Sequence, residues 1–288
     1  MTRCPYTLPL TFGLLVTLIA CATPSWAVTN FMTTTGDDGA NGLTWGTAWR
    51  SFTNAVIRAN NGDTVLVSNG TYLTAITITN SKSITFQSVN GRDVTIVDAN
   101  ATSNDPRRVF YITNAGSVLD GFTIRGGCTP GFFDGGTNIP PLAAGRNHVN
   151  PFPGWQGVEG SDPCTWTVPG AGIYMTGGTI RNCHITTNVT YSYAGGVWMS
   201  GGLLDNCLIS SNVTPSSAVD GCCGWPDGAG GVYCRNATVQ NCEFFVNHGI
   251  GSGTGGGAAV HLGTGGKLLN STIRNNTMNA CNGGAVYV

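Results

Sequence analysis

Five short segments of this chain are variants of one another: Gly172-Ile173-Tyr174-Met175, Gly196-Val197-Trp198-Met199, Gly231-Val232-Tyr233-Cys234, Ala259-Val260-His261-Leu262 and Ala285-Val286-Tyr287-Val288. Each of the first four is followed by an Asn with a small residue after it: Asn182-Cys183, Asn206-Cys207, Asn241-Cys242 and Asn270-Ser271. Five residues beyond each small residue stands another Asn: Asn188, Asn212, Asn247 and Asn276. The copies begin 24, 35, 28 and 26 residues apart. A fixed core with a period in this range, separated by variable connections, is the signature of a solenoid, propeller or array.

Composition narrows the choice. Glycine supplies 43 of 288 residues and charged side chains only 9%, the reverse of a charged helical protein, while 41% apolar content is too much for a disordered chain. A net charge of -1 gives no electrostatic case for nucleic acid or an anionic membrane surface. In a solenoid each repeat buries its apolar side only against its neighbours, so this length fits one domain.

The first 27 residues read as an export signal, with Arg3, an apolar stretch from Leu8 to Ala22, and small residues around Ser25-Trp26-Ala27. Two processing readings stay open: cleavage after Ala27, or a lipobox at Leu18-Ile19-Ala20-Cys21 that would lipidate Cys21 and anchor the chain. Both take the protein out of the cytoplasm, to the cell surface or medium. Nine of the eleven cysteines lie beyond Ala27, in a compartment that permits disulfides. Cys183, Cys207 and Cys242 share one repeat position and are expected as stacked free thiols, since parallel side chains on strands about 4.8 Å apart sit slightly too far apart for a bridge. Cys128 and Cys164 fall in one insertion, where a disulfide would staple it. Cys222, Cys223, Cys234 and Cys281 cannot be paired from sequence.

Apolar residues from Ala48 to Ala59 recur at helical spacing until Asn60-Asn61-Gly62-Asp63 stops them, predicting one short amphipathic helix over 47–60. Residues 28–62 are thus an entry segment with a helix laid over the open end of a stack, and 63–288 are the stack itself. Short alternating strands follow at 64–67, 76–78, 84–86, 94–97, 109–112 and 118–124. From 126 to 170 the pattern lapses into a segment rich in Gly, Pro and aromatics, a length of irregular chain that is uncommon outside functional or disordered loops. It falls at the repeat position that elsewhere holds 190–194, 213–229, 248–255 and 277–282, so all length variation collects on one edge. At Val288 the chain stops inside a fifth repeated strand, which suggests a fragment truncated at its C-terminus.

Strand alternation points Ile173, Met175, Ile180, Cys183 and Ile185 inward and Tyr174, Arg181 and His184 outward. The Asn182 row is expected at a bend, where Asn tolerates a left-handed backbone and its amide can bond along the stack. The outward row is Tyr174, Trp198, Tyr233, His261 and Tyr287; its first four members, with Trp225, Trp155 and Trp166 in the loops, are the candidate ligand-binding set, through rings stacking on sugar faces. The competing reading has these rings supporting one another on the sheet. No catalytic carboxylate pair stands out: Asp205 and Glu243 lie in different rows, Asp220 and Asp227 lie in a loop, and Arg181 can neighbour Asp205 as a surface ion pair. The acidic turn 36–42 lacks the ordered ligands and distal Glu of a calcium loop. No metal site and no cofactor are therefore expected, with calcium left open because the sequence does not display a site for it. Seven Asn-X-Ser/Thr sequons, among them Asn69, Asn188 and Asn212, read as a by-product of the repeats.

The repeats, the entry Asn41-Gly42-Leu43-Thr44-Trp45, and Gly62-Asp63-Thr64-Val65-Leu66-Val67 with Gly70-Thr71-Tyr72 resemble the right-handed parallel β-helix proteins of the pectate lyase-like superfamily, from about Val28 to Val288. The resemblance implies an all-β, single-stranded solenoid with three strands per coil and an Asn ladder at the bend after the second sheet. It also implies a group that ranges from polysaccharide lyases, hydrolases and epimerases to non-catalytic surface proteins. Neither the acidic calcium cluster with a basic partner of its lyases nor the Asp group of its hydrolases is present in this sequence. The expectation is an exported protein that binds carbohydrate or another extracellular polymer through its loop edge. The alternatives are a lyase or glycoside hydrolase with its site partly beyond this chain, and a structural stalk or adhesin.

Overall fold

The computed structural model describes residues 27–74, 78–129, 156–157, 166–167, 169–190, 193–214, 229–250, 256–279 and 284–288. The coil that starts at Ile173 shows the plan. Its strands are Ile173–Met175, Thr179–Arg181, His184–Thr186 and Val189–Thr190, each paired in parallel with the equivalent strand of the next coil. Repetition stacks them, among the described residues, into parallel sheets of seven, eight, seven and five strands. The fold is the expected parallel β-helix. The five-stranded sheet is a departure from three strands per coil. It begins at Cys128–Thr129 and gives the later coils a fourth short side.

The chain turns from second to third strand where the backbone must be left-handed. Asn182, Asn206, Asn241 and Asn270 have φ of 55, 50, 53 and 46°, and Gly121 at 82° does the same in the preceding coil, splitting the single strand expected over 118–124. One coil's inward residues Ile173, Met175, Ile180, Cys183 and Ile185 are fully buried, as are their counterparts Val197, Met199, Leu204 and Ile209. Burying such side chains contributes roughly 1.5–3 kcal/mol each, which is the main reason that register cannot slip.

Lying inside the next bend is the second Asn row, not the first. Thr187, Ser211, Val246 and Asn275 take the left-handed turn, with φ of 51–55°, and the residue after each points its amide inward. Asn188 Nδ2 donates to Asn212 Oδ1 at 3.0 Å, Asn212 Nδ2 to Asn247 Oδ1 at 3.0 Å, and Asn247 Nδ2 to Asn276 Oδ1 at 2.9 Å. Asn188, Asn212 and Asn247 are wholly buried, so the sequons at Asn188 and Asn212 are out of reach of glycosylation. The Asn182 row carries only a partial ladder: Asn206 Nδ2 donates to Asn182 Oδ1 at 2.8 Å, but Asn241 Nδ2 turns to Asp205 Oδ1.

At the start of the stack the helix is Phe52–Arg58, shorter than 47–60. Trp49 is instead extended and bridges Met32, and Trp45–Thr47 forms a separate 3-10 turn. Ser51 caps the helix by accepting from Asn54 N. Lys82 Nζ closes its other end by donating to the carbonyls of Val56, Ile57 and Ala59 at 2.8–2.9 Å. Phe52 sits within 5.2–5.8 Å of the rings of Tyr72, Phe86, Phe110 and Phe122, centroid to centroid, joining the helix to the first coils. Asp38 in the acidic turn is consumed locally, accepting from Arg50 N, Ser51 N and Ser51 Oγ.

Cys183, Cys207 and Cys242 are buried free thiols, as are Cys128 and Cys234. Burial pushes the Cys207, Cys128 and Cys234 thiols above their ordinary range. The Cys242 thiol is drawn down by a hydrogen bond from Cys207. Reactivity follows thiolate content and access. Native protein is therefore expected to leave these five cysteines unlabelled by Ellman's reagent over hours and to release them on denaturation; rapid labelling of any of the five in the folded state would contradict this packing. The expected partner of Cys128, Cys164, lies outside the described residues, as do Cys21 and the export signal at 1–26.

Candidate ligand-binding edge

Each of the later coils returns to its successor from the five-stranded sheet. Strands ending at Thr129, Thr190, Thr214, Ile250 and Asn279 lead into Ile173, Val197, Val232, Val260 and Val286. These connections hold nearly all the length variation of the later coils, the turn 263–266 adding one residue, and they lead into the sheet that carries the aromatic row.

That row is longer than the repeat suggested. Parallel register aligns Tyr111 with Tyr174, Trp198, Tyr233, His261 and Tyr287 in turn. Ring centroids follow at 5.3, 4.4, 6.0, 4.8 and 4.8 Å. Tyr174 and Trp198 are 11° from parallel, and Trp198 and Tyr233 are 3°. The rings therefore cover one another's faces. The expectation of open ring faces for sugar stacking needs correction at this point: Tyr174 is 0% and His261 4% exposed, while Tyr111, Trp198, Tyr233 and Tyr287 are half-buried. A ligand at this edge meets ring rims and polar ring atoms.

Tyr174 is closed off from a second direction. Arg108, itself fully buried, places its guanidinium 5.0 Å from the Tyr174 ring centroid. Its Nε donates to Gly170 O at 2.7 Å and its Nη2 to Pro169 O at 2.6 Å. Burial lowers the Arg108 pKa to about 10, so the charge persists at neutral pH and is spread over carbonyls and a ring. Arg108 thus pins the last residues of the 126–170 insertion against the aromatic row. Sequence reasoning missed both Tyr111 and Arg108, because neither lies in a repeated segment. Within the insertion, Gln156–Gly157 pairs antiparallel with Trp166–Thr167. The side chain of Trp166, and Trp155 and Trp225, lie outside the described residues.

The carboxylates of the coils are engaged in structure. Arg181 pairs with Asp120 at 2.9 Å rather than with Asp205, and Asn182 donates to the other Asp120 oxygen. Asp205 accepts from Gln240 and Asn241; Glu243 pairs with Arg274 and Asp98 with Arg125. Asp220 and Asp227 lie outside the described residues. Among the described residues no group of His, Cys, Asp or Glu is placed to hold a metal ion, and no helix is long and apolar enough to cross a membrane.

Parallel register, one chain per coil and a polar ladder inside the bend define a parallel β-helix protein. No family model and no curated protein matches the chain. Among solved structures it is similar to a rhamnogalacturonan lyase (TM-score 0.49, 13% identity, covering 91% of this chain and 63% of that one). It is also similar to a pectin methylesterase in complex with a hexasaccharide (0.45, 12%, 85% and 67%) and to a pectate lyase (0.36, 15%, 90% and 80%). The chain spans less than two thirds of the length of the rhamnogalacturonan lyase.

Proposed function

We propose that this is an exported β-helix protein, secreted or held at the cell surface, that binds carbohydrate or another extracellular polymer along its loop edge. The observation that carries the reading is the gathering of the long variable connections of the later coils on one side of a rigid stack, next to a continuous row of rings. Loops on a rigid scaffold are where binding is usually built. A row repeating at the coil spacing of about 4.8 Å suits a ligand that is itself extended and repetitive. The engagement of Asp98, Asp120, Asp205 and Glu243 by structural partners favours binding over cleavage in these coils. The export signal read at residues 1–27 supplies the location.

Trp198→Ala and Tyr233→Ala test it. Each is expected to weaken retention on an immobilised polysaccharide by about 10-fold, equivalent to roughly 1.4 kcal/mol. Each also removes one ring from the stack, at about 0.5–1.5 kcal/mol of stability per lost aromatic pair, so the variants should stay folded. Wild-type retention by both folded variants would remove the aromatic edge from the binding surface.

A further inference from the structure

The aromatic row has a second property, one that sugar contact does not need. Tryptophan and tyrosine are among the side chains most readily oxidised by removal of a single electron, and transfer between two such rings falls off exponentially with the gap between them. Here the rings are in contact. Trp198 lies 4.4 Å from Tyr174 and 6.0 Å from Tyr233, centroid to centroid, the spacing of packed aromatic pairs. The 3° angle between Trp198 and Tyr233 sets their π-systems face to face. Tyr233 has a further ring beside it, Tyr193 at 6.2 Å, which is half-buried on the connection from Thr190 to Val197. Trp198, Tyr233 and Tyr193 thus form a run of oxidisable rings from the sheet face out to the loop edge.

The two sides of Trp198 are not equivalent. Tyr174 has the Arg108 guanidinium 5.0 Å from its ring centroid, and both residues are fully buried. A fixed cation at that distance, away from water, raises the cost of placing a second positive charge on Tyr174. An electron vacancy on Trp198 is therefore turned away from that ring. On the other side Tyr233 is half-exposed, so its phenol can release a proton to water as it loses an electron, and the radical that remains is neutral. Burial raises the Tyr233 pKa, against a smaller opposite effect of Arg235, so the proton stays until the electron leaves. At neutral pH a tyrosine oxidised with loss of its proton gives up an electron more easily than tryptophan does. The direction of transfer is thus from Trp198 to Tyr233 for the vacancy, and the reverse for the electron. His261, 4.8 Å beyond Tyr233, is harder to oxidise and ends the run on that side; Tyr193 continues it.

We infer that this run of rings is a relay for one-electron oxidation, in which Trp198 gives an electron to an inorganic oxyradical at the loop edge and Tyr233 refills it. With the carbonate radical anion as oxidant, the radical takes one electron from Trp198 and one proton from water and leaves as bicarbonate. Tyr233 then reduces the Trp198 radical cation, and its phenolic proton passes to water. A neutral tyrosyl radical remains on Tyr233 or, by exchange of one electron and one proton, on Tyr193. The net change is one electron and one proton lost by the protein and one bicarbonate formed. The relay goes beyond polymer binding and rests on the ring geometry alone, so it holds whether or not a polymer is bound.

The probe is the carbonate radical anion, generated by photolysis of persulfate in excess bicarbonate, applied to the folded mature protein and read by peptide mass mapping of the oxidation products. In the wild type, products are expected on Tyr233 and Tyr193, with few on Trp198. Tyr233→Phe keeps a ring in the stack but cannot refill Trp198, so products on Trp198 should rise several-fold and those on Tyr193 should fall. Trp45 is the internal reference: it is 46% exposed and packs against Phe31, a ring that supplies no electron, so its products should be abundant and equal in both proteins. Equal yields on Trp198 in folded wild type and folded Tyr233→Phe would overturn the inference and leave the row as packing.

Discussion

Asn212→Ala is expected to unfold this protein under conditions in which the wild type is fully native. Asn212 Oδ1 accepts from both the backbone N and Nδ2 of Asn188, and its Nδ2 donates to Asn247 Oδ1 and to Ile185 O at 2.9 Å. Alanine leaves two Asn188 N–H groups without partners at a position with no exposed surface and takes the side-chain donor away from the Ile185 carbonyl. Each buried polar group left unpaired costs about 1–3 kcal/mol. The total, roughly 3–6 kcal/mol or more, is comparable with the whole stability of an ordinary domain. Asn212→Asp should be no better, since it sets a carboxylate oxygen against two acceptors. The matched control is Asn206→Gly. Asn206 donates to Asn182 from an exposed position, and glycine accepts its φ of 50°, so the loss should stay within about 1 kcal/mol. Urea melts of the two variants check the contrast; equal losses would mean that the inner row does not hold the coils together.

The second large effect is expected at Arg108. Arg108→Leu fills much of the volume but strips donors from Pro169 O and Gly170 O and removes the cation from the Tyr174 face. Hydrogen bonds from charged donors contribute about 1.5–3 kcal/mol each, so the loss should reach roughly 3–5 kcal/mol. It should also be local in character. The C-terminal end of the insertion detaches, and limited proteolysis should cut within 126–170 well before the coils open. Arg108→Lys is not expected to rescue, because one ammonium cannot present two donors in a planar fork while lying over a ring. Unchanged cutting of Arg108→Leu would show that the insertion is held by other contacts.

Much of this architecture was legible because strand alternation and repetition say the same thing. Ile173, Ile180, Cys183 and Ile185 face inward in every copy, and the thiol stack follows from their spacing. Which Asn row lies inside was not legible. The Asn182 and Asn188 rows recur with the same period, and only the position of the left-handed residue, on Asn182 in one bend and on Thr187 before Asn188 in the other, decides which amides enter the core. Tyr174 read as exposed because its lid is Arg108, far away in sequence and outside any repeat. Arg181 was equidistant in register between Asp120 and Asp205, and its choice depends on Asn241 and Gln240 having claimed Asp205. The short fourth sheet escaped notice because two-residue strands carry no alternation.

The account rests most on a polymer lying along the loop edge without its backbone being cut. The deciding measurement is incubation of the mature protein with neutral and uronate polysaccharides, with and without calcium, reading retention of the protein and the chain length of the polymer by mass spectrometry. Retention on at least one polymer with unchanged chain length is predicted. New oligosaccharides, unsaturated ones above all, or no retention on any polymer, would contradict the account.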